Sequence, residues 1–153
     1  MVKIILYTDK YKGDLERLLK LFSKEVWDKG TCNVDKFINS NWCIYLALVD
    51  DKIIGFSSYT YNEYCGMREP TIGNTYVYVD KEYRTSRAMY LFSIQTGKIC
   101  IEHQIGLEHY YGSNESMKLS SKLKGSKIYE SWEYSIGEVE NTFNRLITKV
   151  RIK

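Results

Sequence analysis

The chain has 153 residues, 44% hydrophobic and 27% charged, with a formal net charge of +3. Such a chain can bury a core, and its proportions exclude a disordered tail, a collagen-like repeat and a coiled-coil rod. Nothing in it approaches the ~20 apolar residues of a membrane span or the ~7 of a signal-peptide core, and the small excess charge argues against nucleic acid as the main partner. The expectation is a cytoplasmic protein with no membrane attachment.

In chain order, Val2, Ile4, Ile5 and Leu6 predict a strand over residues 2–8. Leu15, Leu18, Leu19, Phe22 and Val26 recur at helical spacing through residues 13–27, with Asp14 as the expected cap and an end near 29–30. Residues 34–38 predict a second, shorter helix. Two strands, 43–49 and 53–61, flank the polar turn Asp50-Asp51-Lys52 and predict a hairpin. Gly66 and Pro70 mark a loop over 62–71, and residues 74–79 predict a fourth strand. A long helix is expected from about 84 to 104, with Ala88, Leu91, Phe92, Ile94, Ile99 and Cys100 on its buried face. Gly97 weakens it, and Gly106 is expected to end it in a left-handed conformation. Residues 107–111 predict a fifth strand. Asn114 is placed to cap a helix over 115–124 that Gly125 stops. Residues 128–136 read as a further strand. The segment 138–153 is ambiguous, with Val150 and Ile152 as candidates for a last strand.

The order β-α-α-β-β-β-α-β-α-β predicts an α/β fold: a mixed, mostly antiparallel central sheet with helices on both faces, in one domain over residues 1–153. No glycine fingerprint follows a strand and no Gly-Lys-Ser/Thr occurs, which excludes Rossmann and P-loop readings. The four cysteines, Cys32, Cys43, Cys65 and Cys100, lack metal-ligand spacing and read as reduced thiols.

The most informative stretch joins the fourth strand to the long helix: Tyr76-Val77-Tyr78-Val79-Asp80-Lys81-Glu82-Tyr83-Arg84-Thr85-Ser86-Arg87-Ala88. A helix start carries backbone N–H groups without intrahelical partners and a positive dipole end, both of which attract anions such as phosphate. Arg84, Thr85, Ser86 and Arg87 add donors there. The same residues fit a plain capped helix with solvated arginines, and physics alone leaves the two readings level.

The element order and this junction resemble the GNAT superfamily of acyl-CoA-dependent N-acetyltransferases, whose fourth strand runs into V-x-P-x-x-[RQ]-G-x-G-x-[GA]. Val79 and Arg84 match; Lys81 stands at the proline, and Arg87 and Met89 stand at the two later glycines. The run Tyr83-Arg84-Thr85-Ser86-Arg87-Ala88 is similar to bacteriophage-encoded members. Gly106, the fifth strand, Ser113-Asn114-Glu115-Ser116 and Gly125 follow in the family's order. The resemblance implies binding of acetyl-CoA: the pyrophosphate at Arg84, Thr85, Ser86, Arg87, Ala88 and Met89, the pantetheine arm along the backbone of Val77, Tyr78 and Val79, and Asn114 on the opposite side. It also implies transfer of the acetyl group to an amine. A base is needed, because an amine of lysine type is protonated at neutral pH.

Set against relatives resembling ribosomal-protein alanine acetyltransferases and counted from Asn114, the base position falls on His109 and the acid position on Ser121. Histidine has a fitting intrinsic pKa; serine would only hydrogen-bond the sulfur or order a water. His109 fits equally a half-buried strand residue. Tyr59, Tyr61, Glu63, Tyr64 and Glu69 are candidates to meet a cationic acceptor, small molecule or protein, and fit as well ordinary tyrosines on half-buried strands and solvated loop glutamates. Lys118, Lys122, Lys124 and Lys127 form a basic stretch suited to the 3′-phosphate of coenzyme A or to solvent. Two rivals stand beside the enzyme reading: a catalytically idle module of the same fold that binds coenzyme A or a protein partner, and a nucleic-acid-associated protein with tyrosine stacking platforms. Oligomeric state is open, a homodimer included.

Overall fold

The structure, a computed structural model, describes residues 1–27, 32–63, 70–110, 126–128, 131–134, 139–141, 143–144 and 147. The predicted helix over 115–124, Asn114, Ser121, the basic stretch up to Lys124 and the suggested strand at Val150 and Ile152 lie outside the described residues. Backbone contacts gather the chain into two compact units. One is Met1–Thr60 with Tyr76–Phe92; the other is Tyr61–Thr75 with Ser93–Lys153.

In the first unit, β1 (Lys3–Leu6) pairs antiparallel with β2 (Cys43–Val49), and β2 pairs antiparallel with β3 (Lys52–Asn62). The end of β4 (Thr71–Val79) lies beside β3. The β2–β3 turn is the predicted hairpin. Asp50 and Asp51 take φ of 46° and 64° between the paired Val49 and Lys52, the two left-handed residues of a type I′ turn.

Helix α1 (Lys12–Trp27) begins after a 3-10 turn at Asp9–Tyr11, so Asp14 lies inside its first turn and is not its cap. Leu15, Leu18, Leu19 and Phe22 are buried, as their spacing predicted, whereas Val26, expected on the same face, is 46% exposed in the last turn. Helix α2 (Val34–Ser40) is capped by Asn33, whose Oδ1 accepts from the Lys36 amide at 2.9 Å. The helices cover one face of the sheet: Leu15, Leu18, Phe22 and Val34 pack with Ile44, Leu46, Phe56 and Tyr78. On the other face Ala88 and Phe92 of α3 (Ala88–His103) pack with Ala47, Ile54 and Val79.

A β-bulge makes this double-sided packing work. Ala47 pairs with Gly55, but Leu48 pairs with Ile53, leaving Ile54 as the extra residue. The insertion reverses the alternation, so Ile53 joins Phe56 in the α1–α2 cluster and Ile54 joins Ala47 in the α3 cluster. Gly55 sits between them where β4 passes close: a Cβ there would lie 2.6 Å from the Tyr78 carbonyl oxygen.

In the second unit, the first residues of β4 run parallel to β5 (Gly106–Tyr110), from Thr71↔Gly106 to Asn74↔His109. β5 then pairs antiparallel with β7 (Ser131–Tyr134), and β7 with β6 (Ser126–Ile128). The single strand expected over 128–136 is thus a hairpin, with Ile128 opposite Ser131. β4 starts at Thr71, earlier than the predicted 74, because the Ile72 side chain is fully buried there. The C-terminal segment is helical at Val139–Asn141, Phe143, Asn144 and Ile147. Phe143 explains Gly97: a Cβ at 97 would meet the ring at 2.6 Å.

The end of α3 differs from expectation. Gln104, not Gly106, takes the left-handed conformation, with φ of 53°. Its amide donates to the Ile101 carbonyl at 3.3 Å and the Ile105 amide to the Cys100 carbonyl at 3.1 Å, the paired bonds of a Schellman cap. Gly106 is already the first residue of β5.

Candidate functional site

The junction at the end of β4 is built from the bulge outward. The Asp80 amide donates to the Ile54 carbonyl at 2.8 Å, and Arg17 Nη2 of α1 donates to the Ile53 carbonyl at 2.6 Å. Arg17 Nη1 also reaches Asp80 Oδ2 at 3.3 Å. Both carbonyls freed by the bulge are therefore satisfied by groups that fix where β4 ends. A 3-10 turn follows at Lys81–Tyr83, and residues 84–87 remain in turns before α3 starts at Ala88. The helix thus begins later than the predicted position 84. Arg84 lies in the lead-in, and Ser86 serves the helix start: the Ala88 amide donates to its Oγ at 3.3 Å.

The turn uses its own amides. Tyr83 donates to the Asp80 carbonyl, Arg84 to Lys81 and Ser86 to Tyr83, at 2.8, 3.4 and 2.9 Å. With the Ala88 amide held by Ser86, four backbone donors between 83 and 88 already have acceptors inside the chain.

Arg84 is anchored. Its Nε donates to the Val79 carbonyl at 3.1 Å, its Nη2 donates to Glu25 Oε1 at 2.6 Å, and its guanidinium stands 5.7 Å from the Tyr78 ring centroid. Tyr78 donates its hydroxyl to Glu25 Oε2 at 3.2 Å. Burial alone would raise the Glu25 pKa, but the hydrogen bond and charge of Arg84, with the Tyr78 hydroxyl, outweigh it and hold the carboxyl below its ordinary value. Burial, reinforced by the Glu25 carboxylate, pushes the Tyr78 phenol up to about 12. Thr85, Arg87 and Met89 are exposed and Ala88 is fully buried.

Val77 is half-buried, and Tyr78 and Val79 are buried, each turned to the cluster on its own side of the sheet. His109 occupies β5 opposite Asn74 on one side and Trp132 on the other. Asn114 and Ser121 lie outside the described residues. Tyr59, expected on the acceptor side, is fully buried; its hydroxyl accepts from Ser57 Oγ at 2.9 Å, which makes it a core residue. Tyr61 and Glu63 are exposed; Tyr64 and Glu69 lie outside the described residues.

Glu25 and Arg17 were not found by sequence reasoning as members of this junction. Both stand on α1, far along the chain from Arg84, and no spacing rule links them to it. Glu108 was missed too: it accepts from Asn62 Nδ2 and Thr71 Oγ1, each at 3.4 Å. Burial pushes the Cys43 and Cys100 thiols up to about 11 and about 12, so both are protonated at neutral pH and poorly suited to carry an acyl group. No group of three or more His, Cys, Asp or Glu side chains among the described residues could hold a metal ion. No helix among them is long and apolar enough to cross a membrane.

No protein-family model matches the sequence, and no curated protein matches it either. Solved structures do match the fold. A GNAT-family acetyltransferase of Staphylococcus aureus Mu50 superposes with a TM-score of 0.69 at 14% identity, over 88% of this chain and 98% of that one. A ribosomal-protein-alanine N-acetyltransferase of Brucella melitensis biovar Abortus 2308 gives 0.70 at 14% identity, over 86% and 96%. A Clostridium acetobutylicum protein described as a predicted acetyltransferase, solved with acetyl-CoA, gives 0.69 at 12% identity, over 85% and 93%. At these identities the likeness is one of fold: the chain has the α/β architecture of GNAT acetyltransferases.

Proposed function

We propose that the protein transfers an acetyl group from acetyl-CoA to an amine by direct attack on the thioester. The observation that carries this reading is β4 itself. In a fold shared with acetyltransferases over most of the chain, it ends in an anchored basic turn that leads into α3. Bound acetyl-CoA would supply an activated acyl group. The backbone of Val77, Tyr78 and Val79 would pair with the pantetheine arm, the turn from Arg84 to Met89 would meet the pyrophosphate, and Asn114 would contact the arm from the β5 side. Burial of the Tyr78 and Val79 side chains agrees with a backbone role.

In this reading His109 takes the proton from the acceptor's ammonium through its imidazole, directly or by a water, and releases it to solvent. The amine nitrogen forms the new C–N bond as the C–S bond breaks, and the second proton it sheds passes through water to the departing sulfur, which Ser121 hydrogen-bonds or whose protonating water it orders. The acceptor belongs to the class of primary amines, small molecule or protein. The Tyr83–Ala88 pattern remains the ground for a phage-type member, and composition the ground for a cytoplasmic one.

Calorimetric titration with acetyl-CoA tests the first step, and free-thiol release against a panel of amines tests the second. Binding together with amine-dependent thiol release is expected. No binding at millimolar acetyl-CoA refutes the reading, while binding without transfer to any amine leaves the idle-module alternative standing. His109→Ala is expected to lower turnover by on the order of 10²-fold and to remove an acidic limb near neutral pH from the rate profile; an unchanged profile would remove His109 from the mechanism.

A further inference from the structure

We propose that Glu25 is a positioning residue that holds Arg84 as a preformed donor to the phosphates of coenzyme A; this rests on the reading above. The need for such a device follows from the turn. Its amides at 83, 84, 86 and 88 donate within the chain, and Arg87 and Met89 bring side chains where small residues would let backbone approach a phosphate. With those four amides engaged, side chains carry more of the recognition. A free arginine loses considerable conformational freedom when it is immobilised on a ligand. Arg84 has already been immobilised: Val79 holds its Nε, Glu25 holds its Nη2, and the Tyr78 ring lies beneath it. These contacts use two of the five N–H donors that a guanidinium carries in a rigid fork. The side chain keeps 46% of its surface exposed, so the remaining edge is reachable from solvent.

Glu25 is itself fixed. Its second oxygen accepts from Tyr78, a buried β4 residue, so α1, β4 and the turn meet in one closed set of bonds. The carboxylate therefore sets the direction of the guanidinium without touching the ligand. A carboxylate that merely competed with phosphate for Arg84 would have the opposite effect, and the sign of one substitution separates the two.

Coenzyme A is titrated calorimetrically into the full-length wild-type chain and into Glu25→Ala, Glu25→Gln, Arg84→Gln and the Glu25→Ala/Arg84→Gln double variant. Arg84→Gln is expected to weaken binding roughly tenfold or more, as loss of a charge-assisted hydrogen bond does. Glu25→Ala is expected to weaken it by about fivefold to tenfold, and to add nothing once Arg84 is gone. Glu25→Gln retains an acceptor oxygen for Nη2 and is expected to bind within about threefold of wild type. If Glu25→Ala does not fold, Glu25→Asp against Glu25→Gln decides. Aspartate keeps the charge but withdraws the carboxylate by one methylene, so positioning makes it the weaker binder of the two, and charge balance alone makes the glutamine variant the one that departs from wild type. Wild-type binding with Glu25→Ala unchanged or tighter, or with Glu25→Gln as impaired as Glu25→Ala, overturns the proposal. Absence of binding by the wild type refutes the acetyl-CoA reading instead, whatever the variants do.

Discussion

Replacing Gly97 by alanine sets helix propensity directly against packing. In an exposed helix interior the change from glycine to alanine is worth about 1 kcal/mol in favour of folding. At position 97 the new methyl would stand 2.6 Å from Phe143 Cδ2, 3.1 Å from its Cβ and 3.2 Å from its Cγ. Carbon atoms pack best at about 3.5–4.0 Å, so either the ring or the C-terminal helical segment must move. Overpacking of this kind costs typically ~1–3 kcal/mol, and the net expectation is a loss of up to about 2 kcal/mol. For a chain of this size that is a fall in Tm of up to about 8 °C. Removing the ring isolates the cause: in a Phe143→Ala background Gly97→Ala should stabilise by about 1 kcal/mol, a coupling of ~1–3 kcal/mol between the two sites. Thermal unfolding followed by circular dichroism, with urea titration of all four proteins, measures each corner. The reasoning fails if Gly97→Ala raises Tm equally in both backgrounds.

Gly55→Ala should cost ~2–3 kcal/mol, because its methyl would lie 2.6 Å from the Tyr78 carbonyl oxygen, a backbone atom that cannot swing aside; a Tm near that of wild type would show that β3 and β4 yield more easily. Gln104→Gly should stabilise by up to about 1 kcal/mol by relieving the left-handed conformation of a residue with a Cβ, in spite of losing its Nε2 bond to the Ile101 carbonyl; urea midpoints decide the sign. The Glu25 carboxyl titrates below its ordinary value in the folded chain, so the stability it contributes is complete above about 4.5 and is lost as pH falls through its folded pKa. The stability gap between wild type and Glu25→Gln should accordingly narrow as pH falls below about 4.5, and a gap that widens on acidification would contradict the assignment.

Local patterning made much of this molecule legible. The spacing of Leu15, Leu18, Leu19 and Phe22 predicted both α1 and, Val26 apart, the face it buries, and the β2–β3 hairpin was set by two apolar runs around Asp50 and Asp51. Such features depend on residues within a turn or two of each other. Where the reading failed, a distant partner had decided the matter. Gly106 looked like the residue to end α3, yet the chain takes its left-handed turn at Gln104, which leaves Gly106 in register with Thr71 as the first pair of β5. Tyr59 fitted either an acceptor site or a half-buried strand, and packing decided for the second: its hydroxyl is satisfied inside the core by Ser57.

The candidate site divides along the same line. By itself the sequence determined that a strand, a basic turn and a long helix follow one another from Tyr76 onward, since each is a property of consecutive residues. Only the tertiary structure decided what that turn can do. The β3 bulge at Ile54 presents the carbonyls that Arg17 and the Asp80 amide take up, and Glu25 arrives from α1 to hold Arg84. A carboxylate in one helix and a guanidinium many residues later leave no periodic trace in a chain. Their pairing is a fact of packing, fixed by which face of α1 must be buried and by where that burial leaves Glu25.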